Sequence, residues 1–281
     1  MHNPPHPLTY LDALKAFLRE DWGTQDWTTA AVPDRPMAAR VVAKQDLTVA
    51  GLPVAREVLL AVDPALRVDL PARDGDRLRP GDEALRIEGS SRAILMAERV
   101  MLNLLQRLSG TATLTRAFAD AVAGTGARIL DTRKTTPGLK VLEKYAVRCG
   151  GGFNHRLTLG DGILIKENHI AAAGGIGPAV ARARAVAPSL VRIEVEAETL
   201  DQVAEAMGIP EVDGILLDNM SVDRMAEAVA LRIAQGSRVF LEASGNMSLE
   251  RARPVAETGV DYLSVGALTH SAPAADLSLR F

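Results

Sequence analysis

The stretch VRIEVEAETLDQVAEAMGIPEVDGILLD, from Val191 to Asp218, holds one complete repeat of strand, helix and strand. β-Branched and apolar residues predict strands at Val191–Val195 and Gly214–Leu217, and Leu200–Met207 between them is rich in good helix formers. Two short strands joined through a helix are typical of a parallel sheet covered by helices. This stretch therefore predicts an α/β fold.

The same alternation continues on both sides of this stretch. The predicted strands of the whole series are Arg128–Thr132, Gly162–Ile165, Val191–Val195, Gly214–Leu217, Arg238–Glu242 and Tyr262–Val265. A further helix is indicated at Ala179–Ala187, which is also rich in good helix formers. Strands and helices that alternate over this length favour a β/α barrel, with six strands visible in the sequence and one or two unrecognised.

The N-terminal part of the chain has a different pattern, in which two β-rich stretches dominate. Leu8–Phe17 suits an amphipathic helix, and the Trp-containing segment Glu20–Thr29 is expected to be a loop. The β-rich stretches are Ala38–Ala50 and Leu66–Ile87, which are interrupted by turn signals. We therefore predict a small α+β domain before the barrel.

A helix is predicted between these two regions. In Ser91–Leu108, apolar residues recur at spacings of 3 and 4, which indicates one buried face. The polar segment Ser109-Gly110-Thr111 is expected to end this helix, and a second one is predicted at Thr113–Val122. The predicted division is an N-terminal domain at 1–110, a barrel at 111–271 and a tail at 272–281 that packs back on the N-terminal domain.

Composition excludes several classes of function. The 281 residues include 32 basic and 35 acidic side chains, a formal net charge of -3, and only 4% are aromatic. This balance argues against a general nucleic-acid footprint and against a platform for stacked bases. Cys149 alone cannot form an internal disulfide, and no apolar run approaches the roughly 20 residues of a membrane span. We expect a soluble, cytoplasmic protein that binds neither nucleic acid nor membrane.

Charged and small residues close the predicted barrel strands. Active sites of β/α barrels lie at the carboxyl ends of the strands, so these residues are candidates for the site. They are Asp131 to Lys134, Lys166, Glu196, Asp218, Ser244 with Gly245, and Gly266. Glu196 and Asp218 can hold hydrated Mg²⁺ or ribose hydroxyls, because Mg²⁺ takes one or two carboxylates together with phosphate oxygens.

The densest group of cations lies between Asp131 and His169. It comprises Arg133, Lys134, Lys140, Arg148, His155, Arg156, Lys166 and His169. Such a group in an acidic protein indicates an anionic ligand, since Arg matches a carboxylate or phosphate plane and Lys acts as a mobile point charge. The ordinary alternatives are structural histidines at His155 and His169, and rim ion pairs for Glu196 and Asp218.

The segment DTRKTTPGLKVLEKYAVRCGGGFNHRLTLGDGILIKENHI, which begins at Asp131, closely resembles the core of the quinolinate phosphoribosyltransferase family. ERVMLNLLQRLSG around Arg99 and, further on, EVEAETL, ILLDNMS, LEASGNMS and TGVDYLSVGALTHS extend the resemblance, which runs from about Ala38 to the C-terminus. Two departures are visible. Thr24–Thr28 lacks an expected Gly-Asp pair, and Asn246 replaces a commoner Gly.

The resemblance implies a fold, a reaction and a set of site residues. The fold is an N-terminal α/β sandwich followed by an incomplete, seven-stranded β/α barrel. The reaction joins quinolinate to phosphoribosyl pyrophosphate with loss of carbon dioxide, gives nicotinate mononucleotide and uses Mg²⁺. Quinolinate would be bound by Arg133, Arg156, Lys166, His169 and, in a homodimer, Arg99 of the partner subunit. Phosphoribosyl pyrophosphate would be met by Lys134, His155, Glu196, Asp218, Ser244, Gly245 and Gly266.

Catalytic roles are expected for Lys134, Lys166, Glu196 and Asp218. Three alternatives to this function stay open. They are a nicotinate-type phosphoribosyltransferase of the same fold, an aldolase with Lys166 as Schiff-base nucleophile, and a phosphosugar-binding barrel without catalysis. The number of cations favours quinolinate, with two carboxylates, over nicotinate, with one.

Overall fold

The computed structural model describes residues 3–281 of the chain, which form two units. The N-terminal unit contains the chain up to Arg116 together with Lys134–Gly151 and Ala267–Phe281. The barrel unit contains Ala117–Arg133 and Gly152–Gly266. The chain therefore enters each unit more than once, and Lys134–Gly151 belongs to the N-terminal unit although barrel segments flank it in sequence.

Strands and helices are numbered in chain order. The strands are β1 Pro36–Ala43, β2 Leu47–Thr48, β3 Arg67–Asp69, β4 Arg77–Leu78, β5 Glu83–Ser90, β6 Arg128–Leu130, β7 Ile163–Ile165, β8 Ile193–Ala197, β9 Gly214–Asp218, β10 Phe240–Ser244, β11 Tyr262–Ser264 and β12 Leu277–Arg280. The helices are α1 Leu11–Trp22, α2 Trp27–Ala30, α3 Leu52–Val62, α4 Ser91–Ala121, α5 Lys140–Cys149, α6 Glu167–Ala173, α7 Ile176–Val186, α8 Leu200–Met207, α9 Val222–Ala234, α10 Leu249–Glu257 and α11 Ala267–His270. Within residues 3–281, no helix is both long and apolar enough to cross a membrane.

An antiparallel sheet in the order β12-β1-β5-β3 forms the framework of the N-terminal unit. Residues alternate along β5, so that Leu85 and Ile87 are fully buried while Arg86 is exposed. Burying each of these apolar side chains contributes roughly 1.5–3 kcal/mol. β12, from the end of the chain, pairs with β1 and places Leu279 opposite Val41. The C-terminal tail is thus an edge strand of this sheet.

Helix α4 runs unbroken through Ser109-Gly110-Thr111, so the predicted break between two helices is wrong. The polar side chains have hydrogen-bond partners inside and outside the helix, because Thr113 Oγ1 donates to the Ser109 carbonyl at 2.7 Å and Ser109 Oγ accepts the amide of the distant Ala50 at 3.1 Å. A Cβ at Gly110 would lie 2.0 Å from the carbonyl oxygen of Pro273. Gly110 therefore allows the C-terminal tail to approach the helix closely and does not end it.

The first helices also differ from the prediction. α1 begins at Leu11 and continues to Trp22, whose indole Nε1 donates to the Met96 carbonyl at 3.0 Å. Within the predicted loop, Asp26 caps the short helix α2 by accepting the Thr29 amide at 2.9 Å. A tertiary contact and a helix cap therefore override the local loop signals of this segment.

Six parallel strands form the sheet of the barrel unit, in the order β6-β11-β10-β9-β8-β7. All six coincide with predicted strands, with bounds shifted by a residue or two. Phe153 forms an isolated parallel bridge to Leu130 in β6. Among the residues described, this single bridge takes the place of a seventh regular strand, and the barrel is incomplete as expected. Because the strands are parallel, their carboxyl ends lie at one edge of the sheet.

Candidate active site

The carboxyl edge of the barrel sheet brings together residues that the sequence places at strand ends. Lys166 follows β7, Glu196 lies near the end of β8, and Asp218 ends β9. The register pairs Asp218 with Ser244, the last residue of β10. Gly266 lies just beyond β11. Neighbouring strands therefore present a cation, two carboxylates and small polar residues along one edge.

A cavity of about 590 Å³ lies beside β7. Its charged and polar lining consists of Arg133, Arg156, Lys166, His169 and Arg182. Residues of β7, α6 and α7 supply an apolar wall, and the volume lies in the range of small-molecule sites. The structure therefore gathers four of the residues predicted to bind quinolinate around one cavity.

Arg182 is the cation of this cavity that the sequence analysis missed. It lies on α7 between Ala179 and Ala183, which line the same cavity. An arginine on a helix surface is ordinary, so the sequence alone does not distinguish it from a solvated residue. Its place at the cavity results from the packing of α7 against β7 and β8.

Two guanidinium groups meet at this cavity. Burial lowers the pKa of Arg156, and the charge of Arg133 lowers it further, while Glu194 opposes the shift. Arg156 remains a cation, and its Nη1 donates to the Gly162 carbonyl at 2.9 Å. Two like charges in a partly buried site favour a bound anion, which offsets their repulsion.

Lys166 and His169 present their polar groups at the start of α6. Lys166 Nζ lies 2.8 Å from Glu196 Oε2, and the Glu196 side chain is almost completely buried. The Lys166 amide donates to Nδ1 of His169 at 2.9 Å. In the neutral imidazole this contact leaves the proton on Nε2. The start of α6 thus offers an ammonium group and a ring N–H.

The loops after β9 and β10 are joined by polar contacts. Asn219 and Asn246 both have positive φ, of 52° and 47°, and Asn246 Nδ2 donates to Asn219 Oδ1 at 3.3 Å. Between them, Gly245 has φ of 93°, and a Cβ there would lie 2.1 Å from Asn219 Oδ1. Position 246 therefore needs a residue that tolerates the left-handed region, which explains why Asn can stand where Gly is commoner.

A group of His155 and two buried acids lies inside the barrel unit. Nε2 of His155 is 3.0 Å from Glu194 Oε2 and 3.6 Å from Glu242 Oε2, and Nδ1 accepts the Arg156 amide at 2.8 Å. Oε1 of each glutamate is buried and has no hydrogen-bond partner among the residues described. Neither acid was predicted from the sequence as a site residue. The sequence does contain a signal for them, because alternate residues of a strand lie on the same face. Glu194 lies two positions before Glu196, and Glu242 two positions before Ser244, so each acid shares a strand face with a predicted site residue.

A histidine and two carboxylates are also a donor set that can hold a divalent cation, and these ligand atoms lie within 4.8 Å of one another. However, Nδ1 of His155 accepts the Arg156 amide, so the ring proton of the neutral imidazole lies on Nε2. A cation would need the lone pair of that nitrogen. The contacts therefore fit a hydrogen-bonded group and not a metal site.

Glu242 makes the stability of the protein depend on pH. Burial, and then the charges of Glu194 and Asp131, raise the pKa of Glu242 well above the ordinary glutamate value, while Ser264 opposes the shift. The folded state thus keeps a proton that the unfolded chain loses, and stability falls as pH rises above about 4.5. We expect Glu242→Gln to raise the melting temperature above that of the wild type by at least about 3 °C at pH 8, and by much less at pH 5.

Thermal unfolding at both pH values measures this difference. Glu250→Gln is the matched control, because Glu250 is an exposed glutamate of the same unit on α10. It should leave the pH dependence close to that of the wild type. Parallel curves of melting temperature against pH for the wild type and Glu242→Gln would show that Glu242 is not protonated in the folded state.

Lys134 and Arg99 belong to the N-terminal unit. Both side chains are exposed, with Arg99 on α4 and Lys134 between β6 and α5. The Lys134 carbonyl accepts a hydrogen bond from the hydroxyl of Thr269 at 2.8 Å. Their roles toward bound substrate stay predictions.

Known proteins are similar to this chain over nearly its whole length. Models of the quinolinate phosphoribosyl transferase N-terminal and C-terminal domains match residues 26–109 and 111–280. The chain is 46% identical to nicotinate-nucleotide pyrophosphorylase (carboxylating) of Mycobacterium leprae, with 95% of each chain covered. It is 40% identical to a mitochondrial quinolinate phosphoribosyltransferase (decarboxylating) of Nicotiana tabacum, over 99% of this chain and 84% of the relative. The crystal structure of NadC from Streptococcus pyogenes matches with a TM-score of 0.94 at 42% identity, covering 99% of this chain and 98% of that one. The chain therefore belongs to the quinolinate phosphoribosyltransferase family.

Proposed function

We propose that this protein transfers the phosphoribosyl group of phosphoribosyl pyrophosphate to quinolinate, with loss of carbon dioxide, and forms nicotinate mononucleotide. The observation that carries this proposal is the cavity at which Arg133, Arg156, Lys166 and His169 converge. Quinolinate has two adjacent carboxylates on a flat ring. Guanidinium and ammonium groups match the carboxylates, and the apolar wall of the cavity suits the ring.

The contacts favour this reaction over the alternatives. Nicotinate has one carboxylate and would leave several cations of the cavity without a partner, which costs desolvation energy. An aldolase lysine must react as a neutral amine, whereas Lys166 pairs as a cation with Glu196. A phosphosugar-binding barrel without catalysis gives no reason for a cavity beside β7 that three arginines, a lysine and a histidine line.

Glu196 and Asp218 are proposed to hold the ribose hydroxyls or the Mg²⁺ that accompanies phosphoribosyl pyrophosphate. The two carboxylates belong to neighbouring strands, and hard oxygen ligands are those that Mg²⁺ prefers. Asp218 Oδ2 accepts the Asn219 side-chain amide at 2.7 Å, which orients the carboxylate. When bound, Mg²⁺ supplies positive charge to the pyrophosphate. Ser244, Gly245 and Gly266, at the ends of the next strands, are proposed to line the phosphate pocket.

The proposed reaction has two steps. The pyridine nitrogen forms a bond to C1 of the ribose while the bond from C1 to pyrophosphate breaks, and pyrophosphate leaves with the electron pair. Lys134 is proposed to stabilise the leaving group, and Glu196 or Asp218 the positive charge at the sugar. The alkylated nitrogen then draws in the electron pair of the breaking carbon–carbon bond as carbon dioxide leaves, and the ring carbon takes up a proton. Lys166, at the carboxylate cavity, is proposed to stabilise the charge that develops.

His155 is predicted from the resemblance to face the sugar phosphate. Its ring nitrogens contact the Arg156 amide and Glu194. We therefore propose that His155 also holds the backbone of Arg156 in position. From the resemblance we also propose a homodimer in which the partner subunit's Arg99 reaches the quinolinate cavity, and the exposure of Arg99 on α4 is compatible with this role.

A cytoplasmic location is proposed from the single cysteine. Cys149 is a buried thiol, which suits a reducing compartment. The Nicotiana tabacum relative is named as mitochondrial, so location varies within the family. Fractionation of the native cells, with the protein followed by antibody, tests this assignment.

One assay tests the proposed reaction directly. Purified protein with Mg²⁺, phosphoribosyl pyrophosphate and quinolinate should release pyrophosphate and carbon dioxide in equal amounts. Nicotinate in place of quinolinate should release little pyrophosphate and no carbon dioxide. Pyrophosphate release with nicotinate at the same rate would instead support the nicotinate-type enzyme. Tight binding of both substrates without turnover would support the phosphosugar-binding barrel.

Arg156→Ala is expected to raise the KM for quinolinate at least about tenfold, because a carboxylate loses its guanidinium partner in a partly buried site. The KM for phosphoribosyl pyrophosphate should stay within about twofold of wild type. Arg224→Ala, at an exposed arginine of α9 in the same unit, is the control. If the KM for the sugar phosphate rises and that for quinolinate does not, the cavity is assigned to the wrong substrate.

A further inference from the structure

We infer that Thr269, the buried Glu143 and its ion-pair partner Arg107 are positioning residues that fix the backbone of Lys134–Thr136. The inference rests on the proposed function, in which Lys134 stabilises the leaving pyrophosphate. All of these residues belong to the N-terminal unit.

The segment that contains Lys134 lacks regular secondary structure. β6 ends at Leu130 and α5 begins at Lys140, and no helix or strand is formed between them. Backbone groups of such a segment must find partners elsewhere, and their position is set by those partners. The side chains that bond to this segment therefore decide where Lys134 lies.

Thr269 bonds to the backbone of Lys134 itself. Its hydroxyl donates to the Lys134 carbonyl at 2.8 Å, and the Thr269 residue is completely buried. A β-branched side chain has few rotamers, so the hydroxyl is already close to its bonding position before the segment folds against it. This contact fixes the peptide group that directly follows the Cα of Lys134.

Glu143 bonds to the same segment two residues later. Its Oε2 accepts the Thr136 amide at 2.9 Å, and its Oε1 accepts the Thr136 hydroxyl at 2.7 Å. The Glu143 side chain has no exposed surface. A carboxylate buried in this way must keep its donors, so it holds Thr136 in place.

Arg107, on α4, connects this carboxylate to the α11 region. Its Nε and Nη2 lie 3.1 and 2.8 Å from Glu143 Oε1. Nη1 donates to the Ala272 carbonyl at 3.0 Å, and Nη2 also donates to the carbonyl of Thr269. One guanidinium therefore joins the carboxylate that binds Thr136 to the residue that binds Lys134.

Stability alone does not account for this arrangement. A buried ion pair often contributes no more to stability than apolar residues of the same volume. Catalysis has a separate requirement, because displacement of a catalytic group by about 1 Å can lower the rate about a hundredfold. The hydrogen bonds of Thr269, Glu143 and Arg107 meet that requirement, because they fix both ends of Lys134–Thr136, which has no helix or strand to support it.

Thr269→Val tests the inference, because valine keeps the shape of threonine and removes only the hydroxyl. We expect kcat to fall about tenfold while the KM for quinolinate stays within about twofold. Thr269→Ser keeps a hydroxyl and should restore most of kcat. Thr115→Val is the matched control, since Thr115 is a completely buried threonine of α4 that donates to the Thr111 carbonyl. It should keep wild-type kcat.

Amide hydrogen exchange gives a readout that does not depend on turnover. A peptide that covers residues 132–138 should exchange faster in Thr269→Val than in Thr115→Val, at matched melting temperatures. Thr136→Val, which removes the other hydroxyl, should have the same effect on exchange and on kcat. Unchanged exchange and wild-type kcat in Thr269→Val, or equal losses in Thr115→Val, would overturn the inference. If the wild type shows no turnover, the proposed function fails, while exchange still decides whether these residues fix the segment.

Discussion

Lys134→Ala is expected to lower kcat by about a hundredfold or more. A charge directed at a leaving group acts mainly in the transition state, because negative charge accumulates on pyrophosphate as the bond to C1 breaks. Lys134 is exposed, so its loss removes little buried surface and should leave the melting temperature nearly unchanged. Steady-state kinetics with both substrates near saturation measure the effect on kcat.

Lys15→Ala is the control for this experiment, because Lys15 is an exposed lysine on α1 of the same unit. It should keep wild-type kcat. A near-normal kcat for Lys134→Ala would remove Lys134 from the catalytic step. A rise in the KM for phosphoribosyl pyrophosphate with unchanged kcat would give Lys134 a role in binding the ground state only.

Arg99→Ala is expected to abolish nearly all activity when it is assayed alone, yet to regain activity when mixed with Lys134→Ala. In a two-fold homodimer, each site would combine Lys134 of one subunit with Arg99 of the partner subunit. Mixed dimers then have one intact site and one site that lacks both residues. With equal random mixing about half of the dimers are mixed, so about a quarter of wild-type activity should return.

The two inactive proteins are unfolded together and refolded, and different affinity tags establish that mixed dimers are present. Arg92→Ala, assayed alone, is the control for Arg99→Ala, since Arg92 lies on the same helix and donates within its own chain to the Val32 carbonyl at 2.7 Å; it should keep most of the wild-type activity. If Arg99 served its own subunit, no intact site could form. Continued inactivity of proven mixed dimers would therefore exclude the shared site without affecting the proposed reaction.

The barrel strands could be predicted because each one is a short apolar run that a polar or small residue closes. Lys166, Asp218 and Ser244 thereby lie at strand ends, and parallel pairing alone brings them to one edge of the sheet. Arg133, Arg156, Lys166 and His169, which line the cavity beside β7, were predicted from the density of cations and from the resemblance. These features depend on local sequence and on a regular sheet.

Features that depend on tertiary contacts could not be predicted. In the sequence Gly110 resembles a helix-breaking signal, but a glycine is required there because Pro273 approaches the helix closely. Arg182 lies on an unremarkable helix surface and reaches the cavity only through the packing of its helix. In the sequence Glu242 is indistinguishable from an ordinary strand residue, because the burial that raises its pKa arises only in the folded barrel. In each case the deciding partner is distant in sequence.

The pairing of β12 with β1 has a consequence for synthesis of the protein on the ribosome. β12 consists of Leu277–Arg280, which are translated after all six strands of the barrel sheet. The barrel strands leave the ribosome earlier, whereas the N-terminal sheet lacks its edge strand until the whole barrel has been translated. During that interval β1 exposes backbone groups that could pair with another chain. The N-terminal sheet, whose strands β1, β3 and β5 are translated before the barrel, is therefore completed only after the barrel strands, and chaperones that shield nascent β-strands would be most useful to it during that interval.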